Sequence, residues 1–105
     1  MTKEQELTWS EDGQELQVHG SINFKNVVRL RQEGQAWLAE RAPEDSTVDL
    51  GAVTQSDNSG LVLLVSWFQD AKKYKKRLRF VNIPQFVQQM AQVFGLNTIL
   101  FNIEQ

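Results

Sequence analysis

Leu7 and Trp9, then Leu16 and Val18, alternate with polar residues at a period of two, the spacing of strands with one buried face. Asp12-Gly13 lies between the two runs and is a strong hairpin signal, so the chain opens with two short strands. From about Asn26 the period lengthens. Val27, Leu30, Gly34, Trp37 and Leu38 fall on one helical face, and the segment stops before Ala42-Pro43-Glu44-Asp45. Thr47 to Leu50 is a β-prone run closed by Gly51 and predicts a buried central strand, followed by a loop from Gly51 to Ser56. Asp57-Asn58-Ser59-Gly60 supplies helix-starting side chains, and Leu61, Leu64, Val65, Phe68 and Ala71 mark the inward face of a second helix. Leu78, Phe80 and Val81 predict a fourth strand. Pro84 and Gly95 bracket a third helix with Val87, Met90, Ala91 and Phe94 on one face, and Thr98 to Ile103 reads as a closing strand. The predicted order is β-β-α-β-α-β-α-β: an α/β fold with a mixed sheet and helices packed on it.

At 105 residues the chain fits one domain, 1–105, with an ordered core over about 7–103. The absence of cysteine removes disulfides, thiolate chemistry and cysteine-ligated metals. A net charge of −2 gives no global attraction to nucleic acid or anionic lipid. The longest apolar run, Leu61 to Phe68, is eight residues with Ser66 inside it, far below the roughly 20 of a membrane-spanning helix. Met1 to Glu6 lacks the basic start and apolar stretch of a secretory signal, so a cytoplasmic location without direct membrane insertion is expected.

Candidate chemistry is sparse. The single histidine, His19, alternates with inward Val18 and so points outward, with no partner evident for acid–base work. There is no glycine-rich phosphate loop, and Asp49 and Asp57 stand eight residues apart without a spacing that pairs them, which leaves Asp57 as a helix cap. No catalytic residue, metal site or cofactor is expected. Lys72 to Arg79 holds six cations in eight residues, read mainly as a solvated helix end and strand edge. The apolar content of the second helix is harder to place on one face: Val62, Leu63 and Trp67 lie beyond the stripe, with Leu63, Trp67 and Tyr74 together on a flank, and Phe86 and Val93 do the same on the third helix. Such a surplus predicts a partner-binding surface with Trp67 as its anchor, whose replacement by alanine would abolish binding and leave folding largely intact.

The stretch Val48-Asp49-Leu50, then Val53-Thr54-Gln55-Ser56-Asp57-Asn58-Ser59-Gly60-Leu61, resembles the hallmark of STAS domains, in which a strand ending in D-L leads through a short loop to D-x-S/T-G-L at a helix start. The resemblance runs from about Leu7 to Ile103. Within the family, Ser56 to Trp67, the Leu78-Arg79-Phe80 strand, Pro84 and Gly95-Leu96 look most like the MlaB type, the cytoplasmic subunit of a bacterial phospholipid-transport ABC complex.

That resemblance implies a non-catalytic subunit. It would bind and support the transporter's ATPase, together with the membrane permease, in maintaining outer-membrane lipid asymmetry, and would sit on the inner membrane only through that complex. The implied contacts are Asp57, Asn58, Ser59, Leu63, Trp67 and Phe86. Relatives usually carry Ser or Thr where this chain has Asn58, whose amide keeps hydrogen-bonding capacity without a hydroxyl. Anti-sigma-factor antagonists of the same family carry a phosphorylated serine at the position of Ser59. The alternative implied function is therefore an antagonist switched by phosphorylation of Ser59.

Overall fold

A computed structural model describes residues 6–10 and 12–101. The hairpin forms as predicted: β1 (Leu7–Trp9) pairs antiparallel with β2 (Glu15–Ile22), Leu7 opposite Val18 and Trp9 opposite Leu16. Then follow α1 (Val27–Glu40), β3 (Asp45–Ser56), α2 (Ser59–Lys73), β4 (Arg77–Val81), α3 (Gln85–Val93) and α4 (Asn97–Phe101). The sheet is mixed, in the order β1-β2-β3-β4, with β3 parallel to both β2 and β4.

Alternation along the strands decides how the layers stack. Leu16, Val18, Val48, Leu50 and Phe80 are buried beneath the helices, while Gln17, His19, Thr47, Asp49 and Arg79 occupy the other face and remain partly or fully exposed. The result is two layers, only 20 Å thick along the shortest axis.

Two expectations are corrected. The segment Gly51–Ser56 is not a loop but the continuation of β3, held by pairs that run from His19–Ala52 to Ile22–Ser56. Two register shifts, between Gln17 and His19 and between Gly20 and Ser21, carry the pairing past residues that show no clean alternation; Gly20, at φ +79°, supplies the left-handed backbone at the second shift. The described part of the expected closing strand, 98–101, is also not a strand. Asn97–Phe101 is a helix in which Leu100 N–H donates to Leu96 O, and burial of Asn97 and Leu100 follows a spacing of three rather than two. Its β-prone composition is outweighed by packing, since Phe101 meets Phe80 edge-on with ring centroids 5.9 Å apart. Ile103 lies outside the described residues. Over the described residues the order is thus β-β-α-β-α-β-α-α.

The second helix departs from its predicted stripe. Gly60, Leu61, Leu63, Leu64, Trp67, Asp70 and Ala71 are buried, whereas Val65 and Phe68 are only half-buried. The reason is that α2 has two covered sides, the sheet below and α1 beside it. Trp67 lies against Gly34 of α1, where a Cβ would come within 2.3 Å of the indole, and its Nε1–H donates to Arg31 O at 3.3 Å. Leu63 and Trp67, at 0% and 1% exposure, are therefore core residues, and the surface role expected for them is withdrawn. The apolar surplus at these two positions is thicker core coverage.

Candidate functional site

The parallel strands β2 and β3 finish at the same end of the molecule, where α2 begins. Asp57 N–H donates to Ile22 O at 3.2 Å and fastens the entry of α2 to the end of β2. The Asp57 carboxylate then accepts the Ser59 N–H at 2.7 Å, satisfying one of the free donors of the first turn. Asn58, next to the helix start, makes no capping bond with its side chain. Capping thus falls to Asp57 and leaves the Asn58 amide exposed for other contacts.

Gly60 is fixed by close approach. A Cβ there would fall 1.9 Å from Ser56 Oγ, whose hydroxyl donates to Asp57 O at 2.8 Å. The Ser56–Gly60 turn is therefore a compact unit held by Ser56, Asp57 and Gly60. Ser59 is half-buried within it.

Two hollows flank this turn. An apolar groove of about 450 Å³ is lined by Asn58, Leu61, Val62, Val65 and Ser66 of the α2 side and by Phe94 and Leu96 beyond the end of α3. Val62 is 60% and Phe94 58% exposed, large apolar side chains open to solvent. On the other flank a hollow of about 550 Å³ is lined by Ser21, Ile22, Asn23, Thr54, Gln55, Ser56, Asp57 and Phe86, the last 36% exposed. Asp57 and Asn58 are adjacent in sequence yet line different hollows, so the turn forms a ridge between them.

The expected site residues thus divide. Asp57, Asn58, Ser59 and Phe86 gather around the ridge, while Leu63 and Trp67 lie inside the core. Val62 belonged to the expected apolar surplus but not to the contacts implied by the family resemblance, Leu96 was not expected here, and Phe94 was expected to face inward. The signal for Val62 was present, since it lies off every inward stripe of α2. Phe94 was misread because α3 ends at Val93; Gly95, at φ +70°, then reverses the chain and leaves the ring outside.

His19 Nε2 and Thr8 Oγ1 are 2.8 Å apart on the polar sheet face, a local contact between β1 and β2. Among the described residues no group of His, Asp or Glu is arranged to hold a metal ion, and no helix is long and apolar enough to cross a membrane.

The sequence profile described as "Mlab, STAS domain" matches residues 6–102. The chain belongs to the STAS domain family. Solved structures with the same STAS fold include the anti-sigma factor antagonist SpoIIAA in its unphosphorylated form, at 16% identity and a TM-score of 0.67, with 83% of this chain and 76% of that one covered. A sulfate transporter family protein from Wolinella succinogenes aligns at 17% identity and a TM-score of 0.68, covering 90% of this chain and 76% of that one. No curated protein sequence matches significantly. The neighbours of this STAS domain thus include both an antagonist of anti-sigma factors and a transporter-associated protein.

Proposed function

We propose that this STAS domain is a non-catalytic subunit of an Mla-type phospholipid ABC transporter. It docks on the ATPase subunit, which in turn joins the membrane permease, and so supports maintenance of outer-membrane lipid asymmetry from the cytoplasmic side of the inner membrane. The observation that carries the reading is the apolar groove beside the α2 entry, where Val62 and Phe94 stand exposed next to the free Asn58 amide. Clusters of this kind, apolar at the centre and polar at the rim, suit protein interfaces. The MlaB-type profile supports the choice of partner. Asp57 shapes the ridge, Asn58 and Ser59 offer polar contacts, and Phe86 adds an aromatic edge on the far flank. Purifying the tagged chain from membranes in mild detergent tests the reading: an ABC ATPase with its permease is the expected company, and its absence from every preparation contradicts it.

A second reading has its own observation. Ser59 sits in the first turn of α2, where the helix dipole favours an anion, but directly beside the Asp57 carboxylate. Phosphate on Ser59 would add about two negative charges at the ridge and switch partner binding, as for an anti-sigma-factor antagonist. A soluble kinase as the captured partner, with phosphate detected on Ser59, would favour this reading over the first.

A further inference from the structure

Along α2, Val62, Ser66 and Asp70 fall in one row at i, i+4 and i+8, which leads from the exposed apolar groove towards the seam where α2 meets α1. Val62 stands open and Ser66 is half-buried, but the Asp70 carboxylate is only 8% exposed. Its Oδ1 lies 3.4 Å from Arg31 Nη2 across the seam. Charge-assisted bonds of this kind are usually about 2.7–2.9 Å long, so the contact is loose. No donor among the described residues reaches Oδ2. A buried carboxylate oxygen left without a donor is costly and calls for a physical reason.

The neighbouring donors are committed elsewhere. Trp67 Nε1–H, one turn earlier on α2, donates to Arg31 O at 3.3 Å, and the Lys73 ammonium, one turn later, lies over the Tyr74 ring. That leaves Arg31, whose backbone is held by the Trp67 bond while its guanidinium is 49% exposed. Such a side chain can swing into water without giving up a strong bond. The ends of the described chain are fastened away from this seam. Glu6 pairs with Arg29, about 200° round the α1 axis from Arg31, and Phe101 packs on Phe80 of β4.

We propose, resting on the ATPase docking argued above, that Asp70 accepts hydrogen bonds from a lysine or arginine side chain of that partner, which takes the place Arg31 holds loosely and gives Oδ2 its donor. The occupant is cationic because the group awaiting it is a buried carboxylate, whose attraction for a cation strengthens as water is excluded. Asp70 lies eight residues beyond Val62, about 12 Å along the helix, so one partner covering the groove reaches both.

The test measures the affinity of the purified ATPase subunit for the native chain and for Asp70→Asn, Asp70→Leu and Arg31→Gln, with thermal unfolding recorded on each. Both Asp70 variants are expected to unfold at or above the native midpoint, since they remove a buried charge held by one long contact, and to bind about tenfold more weakly or worse. Arg31→Gln removes the competitor for Asp70. It is expected to lower the midpoint, because the carboxylate loses its counter-ion, and yet to bind at least as tightly as the native chain. Native affinity in the folded Asp70 variants would overturn the proposal. So would lowered midpoints in both of them, or equal weakening by Arg31→Gln and Asp70→Asn, either of which would make the pair a brace between the helices. Failure of the native chain to bind overturns the docking reading and this contact with it, whereas binding lost in Val62→Asp but kept in Asp70→Asn overturns this contact alone.

Discussion

At the scale of single residues, the ridge is held by contacts that tolerate little change. Gly60 leaves no room for a side chain, so Gly60→Ala must swing the Ser56 hydroxyl off Asp57 O. A destabilisation of about 1–3 kcal/mol is expected by denaturant unfolding, and Ser56→Gly in the same chain should recover part of it in a double-mutant cycle. Additive losses would show that the two residues do not oppose each other. Trp67 is the sharper case. Its alanine variant is expected to lose about 3–5 kcal/mol, a large share of the stability of a domain this size, because the indole is enclosed between α2 and Gly34. A Trp67→Ala chain that unfolds at the native midpoint would contradict its place in the core.

The elements show why the sequence was legible in some places and not in others. Long periodic stretches such as α1 were readable, since Leu30, Gly34, Trp37 and Leu38 meet the core from one side only. The D-x-S-G-L start of α2 and the hairpin at Asp12-Gly13 were readable because turn and cap chemistry is local. What failed depended on tertiary context. A helix covered on two sides carries two stripes, and nothing in a single sequence separates a second stripe facing α1 from one facing a partner; hence Leu63 and Trp67 were expected outside and Val65 inside. The bulged half of β3 and the five-residue α4 were hidden for a related reason, since neither is long or regular enough for periodicity to decide. Packing of α1 on α2 gives a direct check: Gly34→Ala would put its methyl 2.3 Å from the Trp67 indole, so a loss of about 3 kcal/mol is expected in thermal or denaturant unfolding. An unchanged midpoint would mean the two helices are not in close contact.

For the whole molecule, the fold separates its surfaces. The ridge and its apolar groove lie at the start of α2, and the cationic run lies past its end, about 22 Å away along a 15-residue helix. A partner held at the ridge alone therefore leaves the far end of α2 uncovered.

The central claim is that the exposed groove, and not the buried Leu63–Trp67 stripe, receives the ATPase. The most direct measurement is the affinity of the ATPase subunit for the native chain and for Val62→Asp, with thermal unfolding recorded on the same samples. A charge in the apolar groove should weaken binding by about 30-fold or more while the unfolding midpoint stays near the native value, because Val62 is 60% exposed. Native affinity in a folded Val62→Asp chain would contradict the account.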